Sequence, residues 1–343
     1  MLDKNLIPEK HPKNDLFICD VADAVLKDIM PQMEHPFYSL SKKPDTKIRR
    51  YEHNGNYLEV VPSVKGLATI YDKDILIFAI SQIMAKINKG EKISKRVKIN
   101  SHELLMFTNR GTAGKDYKAL QDGLERIRGT TITTNIVTGD EEQTDTFGLI
   151  NAHSIRRKNG LDGRLLWCEI ELSEWIFNAI NANEVLTLHR DYFRLRKPIE
   201  RRIYEIARKH CGRKKEWAIG LDLLHKKTGS KGTLKEFRRK TKPLLENNHL
   251  PDYSIEYDEI TDKVIFKNRE KWWSDKQDNQ NTLPPLPTSA YEDARKAAPH
   301  YDVYYLEQEF RNWWASTEKA VPKNIKAAFI GFCKKRHKAQ PYP

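Results

Sequence analysis

Lys235, Arg238, Arg239 and Lys242 stand at i, i+3, i+4 and i+7, a spacing that places four cations on one face of a helix. Like charges so arranged repel one another, so the pattern suits a polyanionic partner that neutralises them. A guanidinium fork matches the O6 and N7 acceptors of guanine, whereas an ammonium acts as a point charge on phosphate. Arg238 and Arg239 are therefore expected to read bases, with Lys235 and Lys242 holding the backbone. The helix that must carry them opens at Thr233, which forms a capping box with Glu236, while Leu234, Phe237 and Leu244 turn away from the cations. Pro243 lacks an amide donor and predicts a kink or break.

The surroundings are equally basic. Arg190 to Leu250 holds 19 Lys/Arg against 7 Asp/Glu, a net +12 in a chain whose total is +13. Charge so concentrated marks a polyanion-binding face, and duplex DNA is the expected partner. Lys231 and Thr233 before the helix, Arg213, Lys214 and Lys215 further upstream, and Lys263 and Lys267 downstream complete the candidate DNA-binding set.

Catalytic alternatives find little in the sequence. The eleven histidines are scattered, with no His-x-His or H-E-x-x-H spacing, which argues against a relaxase or nuclease metal site. Gly111-Thr-Ala-Gly114-Lys115 is too short between its glycines for a phosphate loop and lacks the following Ser/Thr, so a turn is expected. Asp140-Glu-Glu reads as a charged hairpin tip, and Tyr192 as a core residue. Cys19, Cys168, Cys211 and Cys333 form no C-x-x-C pair and read as reduced thiols. No metal, cofactor or catalytic residue is expected. The N-terminus has no basic-then-apolar leader and no apolar run is long enough for a membrane span, so a cytoplasmic location without membrane contact is expected.

At 343 residues the chain exceeds a usual single core. Residues 1–65 read as an N-terminal leader and hairpin. Leu76, Ile80, Ile83 and Ile87 then predict a buried helix from Asp72 to Gly90. It is followed by a strand at Arg96, a small helix from Ser101, and a helix from Asp116 with the stripe Tyr117, Leu120, Leu124 and Ile127. A hairpin of 131–137 and 144–150 and an alternating strand at 166–172 come next. Helix, strand, helix, helix, hairpin is the order of a winged helix. The order recurs from Pro198: helix to Cys211, strand at Trp217, helix 221–228, the cationic helix, and strands at 253–257 and 263–267. In register, Leu120 falls on Phe237 and Ile127 on Leu244.

The predicted class is thus α+β, with tandem winged-helix domains and a small C-terminal helical module. Residues 66–185 form winged helix 1, 186–274 winged helix 2 as the main DNA-binding domain, 275–290 a Pro-rich linker and 291–343 the tail. In the first copy Lys115, Lys118 and Arg126 mix with Asp122 and Glu125, so these residues and Arg110 are expected to contact DNA more weakly, the unit serving packing between domains or subunits. In the tail, Leu306, Phe310, Trp313 and Trp314 form a core stripe, or alternatively a stacking platform for unpaired bases beside Lys334-Lys-Arg.

Several blocks resemble the plasmid replication initiator protein A family of bacteria: Met33 to Ser41, Val64 to Ile77, Ile132 to Gly139, Phe147 to Ile150 and Asp191 to Gly212. The likeness spans roughly residues 5 to 274. It implies an initiator that binds repeated double-stranded sites (iterons) at a plasmid origin, helps open it and recruits host replication proteins such as an initiator, helicase or loader. It also implies a homodimer formed through the first winged helix. A transcriptional repressor built on the same winged helices is the alternative. The site residues above rest on charge and helical spacing, not on the resemblance.

Overall fold

The computed structural model describes residues 5–11, 26–41, 43–53, 56–136, 145–157, 165–212, 214–269, 283–299, 301, 303–316, 322 and 324–339. The N-terminal segment forms β1 (Lys27–Ile29), α1 (Met30–Glu34) and the hairpin strands β2 (Arg49–His53) and β3 (Asn56–Val61). The first unit follows with α2 (Lys73–Lys89), β4 (Arg96–Asn100), α3 (Ser101–Phe107), α4 (Gly114–Gly129), β5 (Thr131–Thr134), β6 (Asp145–Gly148), β7 (Ile150–Arg157), β8 (Leu165–Leu172) and α5 (Glu174–Asn181). After β9 (Val185–Thr187) the second unit runs α6 (Pro198–His210), β10 (Glu216–Gly220), α7 (Leu221–Thr228), α8 (Leu234–Asn247), β11 (Tyr253–Asp258) and β12 (Lys263–Asn268). The tail is α9 (Thr288–Ala297), α10 (Val303–Ser316) and α11 (Ile325–Ala339).

The repeat is real. The sheets order as β4-β8-β7 and β10-β12-β11, so in both units the third strand lies between the first and second, beside three helices. This is the winged-helix arrangement twice over. One expectation needs correction: the hairpin directly after α4 is not the wing of the first unit. β5 and β6 instead join the N-terminal hairpin in the sheet β2-β3-β5-β6, where Val60 faces Ile132. The wing is β7–β8, with Cys168 between Ile99 and Ile155. Both hairpins alternate with period 2, and only pairing with distant β3 or β4 distinguishes them.

Local chemistry sets the helix ends. Asp72 serves α2 as the third-residue half of a reciprocal cap, its Oδ2 accepting the Thr69 amide at 2.8 Å while Thr69 Oγ1 accepts the Asp72 amide at 3.2 Å. Gly90 ends α2 at φ +74, a left-handed conformation that glycine adopts without strain. One continuous apolar core extends from Leu6 to Phe266, and the tail has its own, centred on Leu306, Phe310, Phe329 and Cys333.

The two winged helices and the N-terminal segment meet at a buried ionic cluster. Lys73 of α2 lies fully buried between Asp28 of β1 at 2.5 Å and Glu205 of α6 at 3.0 Å. Arg202 pairs with Glu205 at 3.0 Å and donates to the carbonyls of Met33 and Lys227 at 2.8 and 2.9 Å. Arg201 reaches Asp74 at 2.8 Å and lies 4.7 Å from the Tyr71 ring centre. Tyr192, a core residue as its neighbours suggest, donates to Glu205 Oε1 at 2.7 Å. Burial outweighs the pull of Lys73 on Asp28 and pushes its carboxyl up to about 6. Breaking one member of such a set strands a buried charge, at about 3–5 kcal/mol.

Candidate nucleic-acid interface

Helix α8 starts as its sequence indicates. The Thr233 amide donates to Glu236 Oε2 at 2.9 Å, and the Glu236 amide donates to Thr233 Oγ1 at 3.3 Å. Phe237, Thr241 and Leu244 are buried, which turns Lys235, Arg238, Arg239 and Lys242 outward together. Pro243 does not break the helix, which continues to Asn247 and closes on Asn248 at φ +47. The ring removes one amide donor near the C-terminal end. Thr241 Oγ1 donates to the Phe237 carbonyl at 3.0 Å, and Asn248 Oδ1 takes the Ile255 amide at 2.8 Å, so both sides of the proline are anchored.

The cations on that face are not equivalent. Arg238 donates to both oxygens of Asp262, at 2.9 and 3.1 Å, and so ties α8 to the turn between β11 and β12. Tyr257 also donates to Asp262, and this bond, then Arg238, holds the Asp262 carboxyl below its ordinary range. Lys242 is 3.6 Å from Glu246, both exposed. Lys235 and Arg239 are exposed and have neither ion pair nor side-chain hydrogen bond among the described residues. Two of the four thus have an acidic partner: Asp262 reaches Arg238 from the turn between β11 and β12, and Glu246 lies one turn beyond Lys242 on α8 itself.

The other candidates divide by place. Lys263 is exposed at the wing, close to α8. Lys214 and Lys215 are also exposed, but Glu216 faces Lys267 and Gly220 faces Lys263, so they lie past the far end of β10. That is roughly 17–20 Å from the wing end at about 3.3 Å per residue. Lys267 is held by Glu256 at 2.6 Å, and Lys231 by Asp45 of the N-terminal segment at 2.5 Å. Against burial, which would raise it, the hydrogen bonds from Lys231 and Arg49 keep the Asp45 carboxyl low. Arg213 lies outside the described residues, as do the hairpin tip at 140–142 and Cys19.

In the first unit Arg126 forms a fork on Asp72 at 2.7 and 2.8 Å, allowed by Gly123, where a Cβ would come within 2.8 Å of Asp72 Oδ1. Arg110 donates to Asp74 at 2.9 Å, and Lys118 pairs with Asp122 at 2.9 Å. Among the described residues, Lys115 alone of that set stands exposed without an ion pair. The glycine-rich stretch before α4 is a capping turn in which the Ala113 amide donates to Asp116 Oδ2 at 3.1 Å.

Sequence reasoning passes over one neighbour of the site. The β2–β3 hairpin and the α7–α8 turn enclose an open cleft of about 310 Å³ lined by Arg50, Tyr51, Tyr57, His225, Lys226 and Ser230. Gly229 permits the approach, at φ +69 and with room for no Cβ beside Pro36. Only tertiary packing joins these residues, and no local signal in the sequence marks them.

The fold and this surface define a tandem winged-helix protein with a cationic helix exposed on its second unit. The sequence model of the Replication initiator protein A family matches residues 27–255. A protein of Wigglesworthia glossinidia brevipalpis named "Putative replication protein" is 38% identical over 271 residues, covering 78% of this chain and 98% of its own length. The chain belongs to the Replication initiator protein A family. In fold it is similar to domains 2 and 3 of RctB, at a TM-score of 0.51 and 13% identity over 69% of this chain and 96% of that one. A looser likeness, at a TM-score of 0.41 and 16% identity, covers 59% of this chain and 92% of the Pi initiator protein solved in complex with iteron DNA.

Proposed function

We propose that this initiator binds repeated duplex sites at a plasmid origin in the cytoplasm by laying α8 in the major groove. The observation that carries this reading is the pair Lys235 and Arg239, exposed on the outer face of a well-capped helix and without carboxylate partners among the described residues. Arg238 and Lys242 share that face with exposed partners that phosphate can displace, and Lys263 extends it onto the wing. About five neutralised phosphates correspond to a log-log salt slope of roughly −4 to −5. The first unit, whose cations are largely spent internally, serves contacts between subunits. Opening of the origin draws on binding energy over several adjacent sites and recruits host replication proteins, with no covalent chemistry by this chain.

Footprinting of the purified protein on origin DNA, with permanganate probing, tests the proposal. Protected repeats together with reactive thymines nearby are expected. Protection without reactive thymines leaves a repressor, and no protection removes the duplex-binding reading altogether.

A further inference from the structure

The tail lies beyond the family match, which ends at residue 255. The tail has its own core. The stripe on α10 divides in two. Leu306 and Phe310 are fully buried, whereas the Trp313 side chain is 42% exposed. Trp313 lies 5.6 Å from the half-buried Phe332 of α11 and edge-on to Trp314 at 5.7 Å, so its indole is braced by other rings. Lys335 and Arg336 follow Phe332 at i+3 and i+4 on α11, the same face of that helix. Arg336 bonds Glu309, one helical turn before Trp313, which brings the cationic face beside the rings. From Ile325 to Ala339 there are five Lys/Arg and no Asp/Glu.

We propose that Trp313, Phe332, Lys335 and Arg336 form a binding site for single-stranded DNA, the unpaired strand released when the origin opens. Braced aromatic faces accept unstacked bases of any sequence, and the adjoining cations follow the sugar-phosphate backbone. A duplex does not fit the same chemistry, because its base faces are already stacked. A protein partner would have no need of an acid-free helix. The inference rests on the initiator reading only for the source of the strand.

The test uses the full chain with a fluorescent oligo-dT of about 20 nucleotides and, in parallel, the origin duplex. Trp313→Ala should weaken oligo-dT binding roughly five- to hundredfold, the worth of one stacked base. Trp313→Phe should recover most of that loss, and Lys335→Glu, at an exposed position, should also weaken oligo-dT binding. All three should bind the duplex like the parent. Unchanged oligo-dT affinity in both Trp313→Ala and Lys335→Glu overturns the site, as does a host replication protein whose binding is lost in these variants while oligo-dT binding persists. Failure of the parent to bind the origin duplex would instead remove the reading of α8, which the oligo-dT measurement does not touch.

Discussion

Helices α6 and α8 belong to the same winged helix and to the same strongly basic stretch, yet their arginines do opposite work. On α6, Arg201 and Arg202 are buried and paired with Asp74 and Glu205; Arg201 also bonds the Phe193 carbonyl, and Arg202 the Met33 carbonyl of the N-terminal segment. Arg208 is likewise turned inward, donating to the Thr187 carbonyl at 2.7 Å. On α8, Arg239 and Lys235 are exposed, with no ion pair or side-chain hydrogen bond among the described residues. Net charge along a segment therefore overstates the charge it offers to a partner. A basic residue is available to DNA only where the fold brings it no acid or carbonyl, or only a solvent-accessible acid that phosphate can displace.

The largest effect that would break this comparison is on stability. Arg201→Ala should destabilise the protein by about 3–5 kcal/mol, because Asp74 stays buried with Arg110 as its remaining partner. Urea unfolding measures it, and a change below about 1 kcal/mol would place Arg201 with the surface cations.

Next in size, Arg239→Ala should cost about 1–3 kcal/mol of origin binding and relax preference at one base pair. Its stability should stay within about 0.5 kcal/mol of the parent. Titrations against the site and its single-base variants check this, and a uniform loss across all sequences would make Arg239 a phosphate contact.

Asp262→Asn should act in the other direction. It releases Arg238 from a two-oxygen grip, so affinity for unrelated duplex should rise and the salt slope should steepen by about 1. Weaker binding to all DNA would instead mean that the ion pair holds Arg238 in its working position.

The smallest effect concerns pH. Burial, followed by nearby Lys227, pulls the His210 imidazole down to about 4, and the ring stacks on Trp217 at 4.8 Å. A lowered folded-state value means that the neutral ring is favoured on folding. The contribution is thus complete above about 6.5, the ordinary histidine value, and is lost as pH falls toward about 4. His210→Gln should flatten the stability profile within that window, and an unaltered slope would assign the acid sensitivity to other groups.

Much of the local order was legible. The apolar period of α2, the Thr233 and Glu236 cap, the proline at the start of α6 and the matched stripes of α4 and α8 are short-range signals, and each produced its element. The candidate face of α8 was legible for the same reason, since helical spacing alone turns those side chains outward. The break expected as one outcome at Pro243 does not occur, because Thr241 and Asn248 anchor the chain on either side of it. The wing of the first unit was misplaced because two similar hairpins compete for distant strands.

The sequence by itself determined the succession of helices and strands, their repetition and the blocks that mark the family. Tertiary structure decided which cations remain free. Arg201 finds Asp74 across 127 residues of chain and Lys231 finds Asp45 across 186, distances over which composition has no say. Helix caps and periodicity act within a turn or two, whereas ion pairing depends on which surfaces the apolar core draws together, and only the folded chain sets that.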